Sequence, residues 1–139
     1  MRNNVEYPLE KLKRINPEKI KQIHLISIKY GKTQDTGIRE EGSLINIADG
    51  ISKMAINRKD MVTIVAYILE KLVKYHPFWD GNHRTAYELG HFICILFGYR
   101  LDIIPSQAIE FMRRIDSENL SARMIKTWVK EKAVAMKDQ

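Results

Sequence analysis

The chain has 139 residues, 45% of them hydrophobic and 29% charged, with a formal net charge of +6. That balance excludes a disordered polyelectrolyte and suits one domain with one core, residues 1–139. The longest strongly apolar run, residues 92–97, is far shorter than the roughly 20 residues that cross a bilayer, and residues 1–14 carry no signal-peptide core, so a cytoplasmic protein without a membrane partner is expected.

Asn16-Pro17-Glu18 is a helix opening: Asn caps, Pro suits the first helical position and Glu favours the positive end of the dipole. The helix is predicted over residues 17–30, ending at Gly31. Residues 31–42, GKTQDTGIREEG, lack helical periodicity and read as an extended segment or short β-hairpin, a mobile flap. From Ser43 the residues Leu44, Ile47, Ala48, Ile51, Met54 and Ala55 recur at threes and fours, which predicts a second helix interrupted or weakened at Gly50. Asn57 is the expected cap of a third, whose stripe of Met61, Ile64, Val65, Ile68, Leu69, Leu72 and Val73 ends near Tyr75.

After Asn82 the chain reads as a helix to Phe97 with Gly98 as C-cap, apolar nearly all round in its second half and hence central. Residues 92–97 alone suit a strand equally well, but 85–89 continue the helical pattern into them. Two more helices are predicted, over 106–115 and from about 118 to 132–134, the last with Leu120, Met124, Trp128 and Val129 inward and a frayed end. The class is all-α, with any strand confined to the flap. Cys94 is the only cysteine, so no intrachain disulfide forms, and its apolar surroundings indicate a buried thiol.

The chemistry concentrates in the nine residues HPFWDGNHR, 76–84, between two apolar helices. His76 carries the side chain whose unperturbed pKa lies nearest neutrality and is the candidate general base. Residues 81–84 open a helix, whose first N–H groups are unpaired and whose dipole is positive there, so Gly81, Asn82, His83 and Arg84 form a candidate phosphate cradle. Arg84 adds a planar cation for phosphate oxygens and Asp80 a hard oxygen ligand for Mg2+. Phe78 is the expected anchor of the loop in the core. Read blandly, Asp80-Gly81-Asn82 is turn chemistry with Asn82 as a cap, and His24 and His91 have no second signal and receive no role. A zinc set of His76, Asp80 and His83 is disfavoured by the adjoining arginine.

The stretch resembles the signature of the Fic/Doc family, His-x-Phe-x-Asp/Glu-Gly/Ala-Asn-Gly/Lys-Arg. The likeness extends over residues 24–115, through GIREEGSLINIA and RTAYELGHFICILFGYRLD. It implies a compact Fic-type helical bundle in which His76 activates a protein hydroxyl, Asp80 binds Mg2+, and Gly81, Asn82, His83 and Arg84 hold the phosphates of ATP or another nucleoside triphosphate. The flap residues Thr36, Gly37, Ile38 and Arg39 would align the target chain. The implied reaction is AMP transfer or, in the Doc-like alternative, transfer of the γ-phosphate.

Two positions depart from the pattern. Tyr87 stands where many AMP-transferring members have a second arginine, which places the chain nearer the Doc-like branch, and His83 matches neither subgroup's residue. The self-inhibitory Ser/Thr-x-x-x-Glu-Gly/Asn motif occurs only in broken form, with Glu41, Phe111 and Lys132 at its last position. Expected partners are a protein presenting a Ser, Thr or Tyr hydroxyl, an antitoxin and a second copy of the chain. The basic residues are dispersed from Arg2 to Lys137, so a nucleic-acid-binding helical module is the weaker alternative, beside a silent nucleotide-binding member.

Overall fold

The computed structural model describes residues 6–29 and 35–137. These hold seven helices: α1 (Leu9–Lys13), α2 (Pro17–Ile28), α3 (Glu41–Ile56), α4 (Met61–Tyr75), α5 (Asn82–Leu96), α6 (Pro105–Ser117) and α7 (Ala122–Lys132). The expected all-α class is observed. Two short strands, β1 (Tyr99–Leu101) and β2 (Ala133–Ala135), pair antiparallel in the register Tyr99 to Ala135. The strand expectation is therefore corrected: among the described residues the hairpin-like pair lies at the far end of the chain, and the flap holds only an isolated bridge between Ile38 and Phe78. Three-residue strands carry no periodicity of their own, and tertiary proximity creates them.

α4 and α5 form the centre. α4 packs on α5 and α7, and α5 also meets α2 and α6. The stripe on α4 buries Ile64, Val65, Ile68, Leu69, Leu72 and Val73, and α5 answers with Ala86, Leu89, Ile93 and Cys94. Each fully buried aliphatic side chain contributes about 1.5–3 kcal/mol against remaining exposed. That burial outweighs the strand preference of the aromatic and β-branched residues in Phe92-Ile93-Cys94-Ile95, so 92–96 is helical. Burial pushes the Cys94 thiol up to about 12, an inert group.

Asn16 caps α2 as expected, its side chain accepting from the Lys19 N–H at 2.9 Å. The predicted end of that helix near Tyr30 lies outside the described residues. Gly50 does not interrupt α3, which runs unbroken; a Cβ there would collide with the hydroxyl of Tyr67 on α4, so the glycine serves a close crossing. Asn57 ends α3, its amide donating to the Lys53 carbonyl at 3.0 Å, and the cap of α4 is Asp60, which accepts from Thr63 N–H at 2.8 Å. Both Asn and Asp suit a cap, and the two helices are close enough that sequence alone offered either.

α7 starts at Ala122 behind a Ser121 cap, later than the predicted 118. Ile125 and Val129 face inward and Met124 lies outside, while Trp128 stacks on Phe111 at 4.3 Å between ring centroids. Residues 133–135, at the predicted end of the last helix, form β2, and the final two residues lie outside the described residues. No helix among the described residues is long and apolar enough to cross a membrane.

Candidate active site

The loop between α4 and α5 is held from three sides. Phe78 is 1% exposed, whereas its neighbour Trp79 is 61% exposed, so Phe78 is the one of the pair that lies in the core. Below it lies His24 of α2, its ring parallel to that of Phe78 at 4° with centroids 3.7 Å apart. His24 Nε2–H donates to the Asp80 carbonyl at 2.8 Å, and burial lowers the pKa of this imidazole, which keeps it neutral.

From inside the loop, Asn82 closes a local ring: its Oδ1 accepts from Phe78 N–H at 3.1 Å and its amide donates to Phe78 O at 2.8 Å. Asn82 is therefore not a cap but a brace, and no side chain caps α5. The first helical bond runs from Thr85 N–H to Gly81 O, so the N–H groups of Asn82, His83 and Arg84 precede it at the positive end of the dipole.

Gly81 has φ +81° and lies against the core: a Cβ there would meet Ile28 at 2.9 Å and His24 at 3.3 Å. Its lack of a side chain serves this contact and the left-handed turn, not the approach of a ligand on that side. Its N–H is taken by Asp80 Oδ1 at 2.9 Å.

From the third side comes the flap. Trp79 N–H donates to Gly37 O at 3.2 Å, and the Arg39 and Glu40 N–H groups both donate to Pro77 O, at 2.7 and 3.0 Å. The Arg39 guanidinium donates to the His76 and Tyr75 carbonyls, each at 2.8 Å, and so completes the C-terminus of α4. Gly37, Arg39 and Glu40 are thus bonded to the loop; residues 31–34 of the expected flap lie outside the described residues. Of the four flap residues singled out, Arg39 lines the cleft, Gly37 and Ile38 bind the loop by backbone, and Thr36 is exposed.

The cleft so formed has a volume of about 210 Å3 and is lined by His76, Asp80, Asn82 and His83 among others. His76 terminates α4 with φ 48° and ψ 62°, left-handed values that cost a non-glycine residue about 1 kcal/mol or more. Its Nε2 lies 3.2 Å from Oδ2 of Asp116 in the last turn of α6. His83 Nε2 lies 3.8 Å from the same oxygen, is buried, and has no hydrogen-bond partner. Burial lowers the pKa of His83, and the Asp116 carboxylate opposes that shift.

Arg84 does not line this cleft. Its side chain runs along α5, with Nε 3.7 Å from Glu88 and without a hydrogen bond. Tyr87 is turned into the core and is 5% exposed. Sequence reading missed His24 and Asp116. A histidine on a helix one turn before Ile28 gives no local sign that it faces a loop 56 positions later, and Asp116 lies 40 positions beyond His76.

The set contains an imidazole held at a helix end, an uncapped helix N-terminus and an exposed carboxylate, and it suits proton removal beside a phosphate. Asp80 fits Mg2+, being a carboxylate that faces the cleft with only one oxygen engaged by the backbone. The orphaned Nε of Arg84 and the unpaired turn of α5 fit phosphate oxygens. The model of the Fic/DOC family matches residues 14–94, more than half of the chain. Comparison with curated proteins finds no match.

Proposed function

The chain belongs to the Fic/DOC family, a family of transferases, and from that premise we propose that it moves AMP from ATP onto a Ser, Thr or Tyr hydroxyl of a protein. The observation that carries this reading is the placement of His76: a left-handed histidine, costly to the fold, facing a cleft beside an uncapped helix N-terminus.

His76 takes the proton from the target hydroxyl. The oxygen attacks the α-phosphorus, the bond to the oxygen bridging the α- and β-phosphates breaks, and pyrophosphate leaves. Asp116, 3.2 Å from His76 Nε2, stabilises the imidazolium so formed. The N–H groups opening α5 hold phosphate oxygens, and the Arg84 guanidinium joins them by turning away from Glu88. Asp80 would hold Mg2+, which when bound would supply further neutralisation of phosphate charge. Arg39 and the backbone of residues 37–40 fix the rim against which the target chain would lie.

The Doc-like alternative, transfer of the γ-phosphate, is favoured by Tyr87. A tyrosine at this position, turned into the core, supplies no second cation one turn beyond Arg84 to hold a nucleotide in one orientation. Incubation of the chain with Mg2+, a cell lysate and ATP labelled separately at the α- and γ-phosphates decides between them, with His76→Ala as control. Label from the α-position is expected. Label from the γ-position alone would establish the kinase, and the absence of any label dependent on His76 would remove the transferase reading.

A further inference from the structure

We propose that His76, His83 and Asp116 form a binding site for a late divalent transition-metal ion, Zn2+ being the natural occupant. Occupancy would withdraw the imidazole that the transferase reading needs, and that inhibitory consequence alone rests on that reading.

The three side chains each offer one ligand atom, and these atoms all lie within 4.8 Å of one another. Asp116 Oδ2 is the shared vertex, 3.2 Å from His76 Nε2 and 3.8 Å from His83 Nε2. A tetrahedral zinc ion with bonds of about 2.0–2.1 Å holds its donors about 3.3–3.4 Å apart. Two of the existing spacings thus lie within about 0.5 Å of that geometry, and the third, between the imidazoles, is at most 4.8 Å and must close by side-chain rotation. The donors come from the end of α4, the start of α5 and the end of α6, three elements packed on one another, so the vertex positions are fixed by the core.

Two further observations point to a cation. His83 Nε2 is buried and has no hydrogen-bond partner, a cost that a bond to a metal would remove. Asp116 and His76 both stand at helix C-termini, where the dipole is negative, and a carboxylate there raises the negative potential that a cation would relieve. His83, at the positive end of α5, opposes this in part. Of the neighbouring arginines, Arg84 runs along α5 towards Glu88 and does not line the cleft, Arg113 donates to Glu110 at 2.7 Å, and Arg39 donates to the carbonyls ending α4.

Two imidazoles and one carboxylate select Zn2+, Co2+ or Ni2+ over Mg2+, which prefers oxygen ligands and retains its waters. Asp80 and the trio thus sort two classes of ion within one cleft. Three protein ligands leave the fourth position of a tetrahedral ion facing the cleft.

The test uses the whole chain, stripped with a chelator and titrated with Co2+ for its visible absorption and with Zn2+ against a chromophoric chelator. One ion per chain is expected, with tetrahedral cobalt bands and a raised melting temperature. The variants Asp116→Asn and His83→Gln keep side-chain size, and each is expected to weaken binding at least tenfold while still melting cooperatively. Absence of stoichiometric binding, or equal binding by both variants, would overturn the site. In the labelling assay with Mg2+, Zn2+ is expected to suppress His76-dependent label in proportion to occupancy. Undiminished label from the zinc-saturated chain overturns the inhibitory consequence. If the metal-free chain yields no label while the cobalt bands persist, the transferase reading fails and the metal site stands.

Discussion

The ring of His24 lies flat on that of Phe78, 3.7 Å away, and the same imidazole holds the Asp80 carbonyl at 2.8 Å. One buried side chain thereby fixes both Phe78 and Asp80, the residue proposed to hold Mg2+.

Replacement of His24 by Ala is expected to remove the stack and orphan a carbonyl, at a cost of ~2 kcal/mol or more. His24→Phe should recover the stacking and leave the carbonyl unpaired. Urea melts of the two variants check the order, wild type above Phe above Ala, and labelling should fall in both because Asp80 loses its hold.

His76 occupies a backbone conformation that glycine adopts without strain. His76→Gly is expected to abolish labelling while the fold remains as stable or gains up to about 1 kcal/mol, the relief of strain being partly offset by the freer unfolded chain. A labelling assay beside a thermal melt shows both effects. A variant that loses several kcal/mol would mean that the imidazole is there for structure.

Arg39→Ala removes two bonds to the end of α4. The groups are partly exposed, so the loss of stability should be about 1 kcal/mol, while KM for the protein target should rise more than kcat falls. Arg39→Lys cannot span both carbonyls with a planar fork and should behave like the Ala variant.

Asp60 tests the corrected cap. Its hydrogen bond to Thr63 holds its carboxyl below the usual value. The native state therefore binds fewer protons than the unfolded chain in the acid range, and stability from this group is full above the unfolded value near 3.8 and lost as pH falls through the lower native one. Asp60→Ala should cost about 1 kcal/mol at pH 7, with the gap to wild type closing below about pH 4. Asn57→Ala, at the cap position suggested by sequence, should cost less. Denaturation at pH 7 and at pH 3 separates the two.

The central helices were legible because α4 and α5 gather their apolar residues at helical spacing, a local signal that survives folding. The chemistry of the loop was legible because its residues are contiguous, and His76, Asp80, Asn82 and His83 do share one cleft. What could not be read depends on distance in sequence. Asp116 reaches His76 only because α6 packs across α4 and α5, and β1 meets β2 only after α6 and α7 have returned the chain. α1 is five residues long, too short for a periodic pattern. Arg84 has the residue type for phosphate, yet its rotamer, drawn towards Glu88, was invisible to spacing.

The ladder between β1 and β2, lengthened by bonds from Asp102 N–H to Lys132 O and from Met136 N–H to Gly98 O, knots both ends of the excursion that contains α6. With its ends tied, that excursion behaves as a tethered ligand of the α4–α5 pair, and a short tether sustains an effective concentration on the order of millimolar. Should α6 lift away, Asp116 returns to the same imidazoles by an internal step whose rate does not depend on protein concentration. The acid wall of the cleft therefore reassembles on its own clock, whereas the hydroxyl proposed as substrate would have to arrive by diffusion.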